Sequence, residues 1–497
     1  MTVEPKISKS QYIKGLQCPK ALWYYRHRKD LAPEIDPATQ ARFDTGHEIG
    51  ELAKQYFEGG VEVTNDYRDI KGAIAATEQF VKDGHSVIYE ATAMHPVDGS
   101  YSRIDILKRV EETDEWDMIE VKSSTSVKDY HLDDMALQYH AFYNAGYKIG
   151  CCFMMVIDNS YIRDGDIGPR QLFRLEDISD FVFSKQGEVE QVAGQLGYVL
   201  DRKDEPQIKI GSRCFSPFEC DYRHHCWKNV PEVSVYDFFS KDKAEEIADK
   251  HGYELTKLPE DLRPSGKKSA DLESYINNEI IIDATKIRIF LGELAWPLYF
   301  LDYETVGAAV PQFDSTKPYQ QVTFQFSLHI EPEPGAELIH HEFLHKERSD
   351  PRTPFTEKLV ELCGEDGSII AYNKSFEVTC NTKLAEYLPE YGEQLEAINA
   401  RMVDLLVPFR SRWLYHPSQL SSASIKAVLP AFTDQSYSEL NISGGEDASQ
   451  LYSDFLTGKL PKEEHGALWN NLSEYCKLDT YAMKVLLDVL HEKCGEQ

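Results

Sequence analysis

The stretch RCFSPFECDYRHHCW, residues 213–227, holds Cys214, Cys220 and Cys226 with five residues between neighbours, and His224 and His225 beside them. Thiolates and imidazoles are ligands for borderline and soft metals, and a tetrahedral site needs four of them. Three thiols so close together, in a chain with ten cysteines, point to a metal or cluster site before they point to core packing. Structural zinc sites usually pair ligands two to four residues apart, so the wider gaps lean against zinc, although His224 or His225 could complete such a site locally.

A second group is acidic. Asp105 in IDILKRV and Glu120 in IEVKSS fall on strand-like runs that are near neighbours along the chain. Side chains alternate on a strand, so Glu120 and Lys122 share a face while Val121 turns to the core. Two carboxylates with a lysine two residues on can hold a divalent cation and a water beside it, and the lysine can stabilise developing negative charge. An E-x-K alone is ordinary surface alternation. The ordered set of His47 on a helix, Asp105, Glu120, Lys122 and then Gln138 on a helix is much harder to reach by chance.

A third group follows. LDYET (301–305) puts Asp302 and Glu304 on one strand face, AYNKSFE (371–377) offers Glu377 at a strand-to-helix turn, and EYCKLDTYA (474–482) has Tyr475 and Asp479 four apart on one helix face. Four carboxylates and a tyrosine are the parts of a two-metal site that hydrolyses a phosphodiester. Asp404 and Lys426 lie between these motifs and are candidates for the same cleft.

The elements that must carry these groups are legible as two α/β patterns. A helical pattern over 38–58 precedes strand-like runs at 86–93, 101–110 and 116–124, a helical run at 132–146 and a strand at 151–157. Residues 231–292 read as polar and helical, with a break near 263–269. A second pattern has strands at 297–305, 321–330, 337–344 and 368–373, then helices, the last over about 464–494. At 497 residues and 42% hydrophobic, the chain suggests two or three domains. It has no run of about 18 apolar residues and no apolar signal core at its start, so no membrane span and a cytoplasmic location are expected. The net charge of −30 argues against bulk electrostatic attraction to nucleic acid and leaves local basic grooves and bound cations as the route to it.

The set His47, Asp105, Glu120, Lys122 and Gln138 resembles that of RecB-type PD-(D/E)XK nucleases. SQYIKGLQCPKALWYY (10–25) resembles the opening of their iron–sulfur subgroup, the AddB-like and CRISPR-adaptation nucleases. The resemblance implies that Cys18 is the fourth ligand, joining Cys214, Cys220 and Cys226 around a 4Fe–4S cluster. It also implies His47, Asp105 and Glu120 as ligands of Mg²⁺ or Mn²⁺, with Lys122 and Gln138 as catalytic residues. The triplet spacing departs from the better-known pattern, and Phe142 stands where a tyrosine is usual. Asp302 with Glu304, then Asn373, Phe376 and Glu377, then Tyr475 with Asp479 resemble the three motifs of DnaQ-like (DEDDy) 3′–5′ exonucleases. There the carboxylates hold metal and the tyrosine orients water; Glu377 replaces the usual aspartate.

The expected fold is therefore α/β: a PD-(D/E)XK nuclease core closed by an iron–sulfur cluster over 1–230, a helical linker over 231–292, and an RNase H-like (DnaQ-like) domain over 293–497. The expected function is a metal-dependent exodeoxyribonuclease with two catalytic centres, acting on DNA with single strands or free ends favoured, in repair, processing or defence. One alternative keeps a single active centre, the other being a degenerate nucleic-acid clamp. Another is a non-catalytic iron–sulfur scaffold, against which the competent side chains at all ligand positions weigh.

Overall fold

The computed structural model describes residues 3–442 and 444–495. It is a mixed α/β protein whose chain divides into two compact units, 1–230 and 231–497.

The first unit is built on one sheet. Its strands are β1 (Ile7–Ser8), β2 (Val61–Glu62), β3 (Val87–Met94), β4 (Ser100–Arg109), β5 (Trp116–Lys122), β6 (Ile149–Ile157) and β7 (Phe173–Asp177). The order is β2-β3-β4-β5-β6-β7, with β1 paired to the start of β4. β4 runs antiparallel to both β3 and β5, and β6 is parallel to β5, the helix Asp129–Asn144 forming the crossover. That helix buries Met135, Tyr139 and Phe142 against Ile104, Met118 and Met154 of the sheet. Its other flank, with Ala136 and Leu137, meets Tyr12 of the helix Lys9–Gln17 and Leu196 of the helix Gln186–Asp201. Gly15 permits this close approach, since a Cβ there would lie 2.5 Å from Leu196 Cδ1. Ser8 caps the first of these helices in a capping box with Gln11, which fixes where Lys9 leaves the backbone.

In the second unit, β8 (Ile281–Ile282) pairs with β14 (Leu414–Tyr415). The main sheet holds β9 (Leu298–Val306), β10 (Val322–Glu331), β11 (Ile339–Leu344), β12 (Ser368–Ala371) and β13 (Met402–Asp404), in the order β11-β10-β9-β12-β13. β10 is antiparallel to both neighbours, whereas β9, β12 and β13 are parallel. One face of the sheet is covered by the long helix His465–Cys494 through Leu472, Met483 and Leu486, and the other by a core of Tyr303, Phe326, Phe355 and Leu384.

β3 to β6 and β9 to β12, the helices Pro37–Tyr56 and Asp129–Asn144 and the last helix fall where hydrophobic periodicity put them. Periodicity does not mark the helices Ile70–Lys82 and Gln186–Asp201 or the strand β7, nor β1, β2, β8, β13 and β14, which are two or three residues long. Residues 231–292, expected as a helical linker, are helical and belong to the second unit. Fully buried Asp271 of the helix Lys267–Asn277 takes two hydrogen bonds from Arg412, at 2.6 and 2.7 Å. The helix Ala284–Gly292 packs on the long C-terminal helix. No helix among the described residues is long and apolar enough to cross a membrane.

Candidate functional sites

In the first unit, β4 and β5 bring Asp105 and Glu120 together, and the crossover helix places Asp134 and Gln138 one turn apart beside them. Glu120 is almost fully buried. Its Oε1 accepts from both Lys122 Nζ and Lys9 Nζ at 2.7 Å, and its Oε2 accepts from Gln138 Nε2 at 2.9 Å. Gln138 is held in turn by Ser102, whose hydroxyl donates to Gln138 Oε1 at 2.9 Å. Lys122 also donates to Asp134 at 2.9 Å. One oxygen of Asp105 accepts from the Val121 backbone N–H at 2.6 Å.

The electrostatics follow from this wiring. Burial acts to raise the Glu120 carboxyl, but Lys122 and Lys9 outweigh it and hold Glu120 ionised. Burial and the neighbouring Glu120 charge push Asp105 up to about 7, against the pull of Lys9 and Lys122. His131, desolvated and beside Lys122 and Lys128, is pushed down to about 4. Glu90 on β3 feels both Lys9 and Glu120 and has a positive φ of 57°, a strained backbone for a glutamate.

Of the residues singled out in the sequence, Asp105, Glu120, Lys122 and Gln138 share this cluster. His47 is exposed on the helix Pro37–Tyr56, which packs on β5, and no hydrogen bond among the described residues ties it to this cluster. Lys9, Asp134 and Glu90 were missed. Asp134 and Gln138 are four apart on one helix, which was a readable signal; Lys9 comes from a distant helix and left none.

Cys18, Cys214, Cys220 and Cys226 carry free thiols, and Cys18, Cys220 and Cys226 pack against a small core that includes Trp23, Tyr24 and Tyr222. The Cys220 backbone N–H donates to the Cys214 carbonyl at 2.9 Å. Burial, then the nearby Cys18 and Cys214, push the Cys220 thiol up to about 11. Burial raises Cys226 as well, with Cys214 and Cys18 adding to it against Lys20. Among the described residues, no three of these sulfurs lie within 4.8 Å of one another.

The second unit contains the deeper site. Asp302, Glu304, Glu377, Tyr475 and Asp479 line one cavity of about 590 Å³, together with Asn373, Phe376 and Gly445. It opens by the carboxyl ends of the adjacent parallel strands β9 and β12, where open α/β sheets place their ligands. Asp302 and Glu304 project from one face of β9, and the ladder to β10 shifts register beside Glu304, as bulges near functional sites do. Glu377 sits in the first turn of the helix Ser375–Tyr387, directly after β12. Tyr475 and Asp479 lie one turn apart on the long C-terminal helix.

Glu304, Glu377 and Asp479 are all nearly buried. Burial, then Asp479, push Glu304 up to about 8, against Lys426. Burial, with Asp404 adding to it, pushes Glu377 up to about 8. Burial raises Asp479 to about 6, opposed by hydrogen bonds from Tyr437 and Tyr475 and by Lys426. Asp302 is raised by burial and by Asp479, Glu304 and Glu377. The Tyr437 hydroxyl donates to Asp479 at 2.6 Å, and the Lys426 ammonium lies over the rings of Tyr437 and Tyr475 at 5.5 and 5.3 Å. Glu377 Oε2 is buried without a hydrogen-bond partner among the described residues. Buried carboxylates that repel one another, one with an orphaned oxygen, suit a divalent cation bound between them. Asp404 and Lys426, the candidates for the same cleft, are not among the residues lining the cavity; they act on it through their charges, Asp404 on Glu377 and Lys426 on Glu304 and Asp479. Tyr437 and Cys476 were missed.

Residues 299–424 match the family described as Domain of unknown function (DUF2779). That stretch includes Asp302, Glu304 and Glu377 and ends before Tyr475 and Asp479. Two curated proteins are similar to the chain at 25% identity: an uncharacterised protein of Mycoplasma pneumoniae, the MG366 homolog, and the uncharacterised protein UU173 of Ureaplasma parvum serovar 3. The matches cover 43% and 42% of this chain, and 35% and 33% of those proteins. The chain thus spans about a third of the length of the curated relatives it matches.

Proposed function

We propose that this chain is a metal-dependent phosphodiester hydrolase acting on DNA, single strands and free ends above all, with a PD-(D/E)XK-type centre in the first unit and a DnaQ-like exonuclease centre in the second. The observation that carries the reading is the convergence of four acidic side chains and Tyr475 on one cavity, with a buried carboxylate oxygen left unpaired. Asp302, Glu304, Glu377 and Asp479 would hold Mg²⁺ or Mn²⁺, which supplies Lewis acidity and a water made acidic by coordination. Tyr475, one turn before Asp479 on the same helix, would orient an attacking water. Phe376, 37% exposed on the cavity wall, offers an aromatic face to an unstacked base. In the first unit Asp105 and Glu120 would take the cation, and Lys122 would meet the charge that develops on the phosphate.

Degradation of DNA labelled at either end, with Mn²⁺ against an EDTA control, tests this on the wild type, Lys122→Ala and Asp302→Ala. Each substitution is expected to remove one of two product patterns, with loss of 3′ ends following Asp302. Lys122 pairs with two carboxylates rather than standing free in a cleft, so melting curves must accompany its variant. Two unchanged patterns would sink the reading.

A second reading keeps only the C-terminal centre active. It is favoured by the first centre's self-compensation, two ammonium groups already meeting Glu120 Oε1.

The four cysteines are proposed to hold a 4Fe–4S cluster. A single tetrahedral zinc holds its sulfurs about 3.8 Å apart, given Zn–S of about 2.3 Å. A polynuclear cluster spreads its ligands further. Anaerobically purified protein is expected to be brown and to lose its broad visible absorbance in Cys18→Ser. Stoichiometric zinc without iron would reject the cluster.

A further inference from the structure

Cys476 follows Tyr475 on the long C-terminal helix, turned from the cavity lining towards β9. It is fully buried, and buried free cysteines ordinarily act as small hydrophobes. This one does not meet only apolar neighbours. Its Sγ lies 3.7 Å from Asp302 Oδ2, and ligand atoms of Asp302, Glu304 and Cys476 all fall within 4.8 Å of one another. Three atoms at that limiting separation stand about 2.8 Å from their common centre. Metal–sulfur and metal–oxygen bonds of about 2.0–2.3 Å would therefore need a closure of roughly half an ångström. A second observation independently calls for a cation beside Asp302 and Glu304: the unpartnered Oε2 of Glu377, a residue 2% exposed on the wall of the cavity that those two carboxylates line.

We propose that Cys476 is a ligand of the C-terminal centre, and that its sulfur makes the site select borderline divalent ions of the Zn²⁺, Fe²⁺ and Co²⁺ class over Mg²⁺. The inference rests on the reading of the carboxylate cluster as a metal centre. An all-oxygen cage suits hard ions, and exchanging one oxygen donor for a thiolate moves the preference towards softer ones. As the sulfur–metal bond forms, the thiol proton leaves to water through the cavity.

The full chain, stripped with chelator and titrated anaerobically with Co²⁺, reports the bond directly through sulfur-to-cobalt charge transfer in the near ultraviolet. The other nine thiols contribute equally to wild type and Cys476→Ser, so the difference spectrum isolates one sulfur. The wild type is expected to show a band that Cys476→Ser lacks. It should also retain Co²⁺ against roughly a hundredfold excess of Mg²⁺ that displaces it from the variant. Cys476→Ala should behave as Cys476→Ser and stands in should the serine variant not fold. If Asp302→Asn changes Co²⁺ binding while both Cys476 variants match the wild type, the metal centre stands and the sulfur ligand falls. If none of these variants changes Co²⁺ binding, both fall.

Discussion

Replacing Glu377 with glutamine is expected to lower removal of 3′-terminal nucleotides by about 10²–10³-fold while leaving the fold intact. The loss is of the size seen when one charge-stabilising group is taken from a preorganised site. Glu377 brings a buried carboxylate whose Oε2 has no partner among the described residues, so its charge is available to a cation rather than spent on a protein donor. The fold should tolerate the change because the metal-free protein already favours the protonated acid below about pH 8. Glutamine copies the shape and neutrality of that form. Thermal unfolding in EDTA should therefore match the wild type below about pH 4, and the variant should become progressively the more stable one from there to about pH 8 and stay so above it. A variant with unimpaired 3′-end removal would take Glu377 out of the centre.

The largest expected effect of pH is on the metal-free protein. Glu304 and Glu377 are held up at about 8 and Asp479 at about 6, all above ordinary carboxyl values of about 4. Between the unfolded and folded values the native state binds more protons than the unfolded chain, so stability falls as pH rises. The carboxylates' contribution is least unfavourable below about pH 4 and is progressively lost from there to about pH 8. A cation bound to the ionised cage reverses this loss, because it binds the native state and not the unfolded one. Melting temperatures should thus rise much more on adding Mn²⁺ at about pH 8.5 than at about pH 5.5. Equal shifts at both values would show that these carboxylates do not hold the ion.

Both experiments concern residues that the sequence displayed, and the reason is geometric. Strand alternation put Asp302 and Glu304 on one face, and helical spacing put Tyr475 and Asp479 on another, so local periodicity was enough to pair them. What brings the two pairs together is the packing of the long C-terminal helix across β9 and β10, which no local pattern encodes. The partners contributed singly stayed hidden for the same reason. Lys9 reaches Glu120 from a helix 111 residues earlier, and Tyr437 reaches Asp479 from 42 residues away. His47 shows the converse. Its type and order suited the first centre, yet residue order carries no information on which way a helix turns its side chains, and the structure leaves this one exposed. Residues 231–292 read as a linker because their surface is polar. One buried anchor, Asp271, finds its partner in Arg412, 141 positions on.

The hydrogen bond from the Val121 backbone to Asp105 divides the labour of that carboxylate between its two oxygens. One is committed to joining β4 and β5, and the other alone is left to meet anything that enters. Asparagine preserves this division, since its carbonyl oxygen can accept from Val121 while its amide occupies the second position without charge. An Asp105→Asn chain therefore keeps the architecture of the first unit and forfeits its anionic grip. If the first unit is the nuclease centre proposed above, that separation of form from charge makes the variant a suitable silent decoy, to be recovered from cells with the molecule it would have cut.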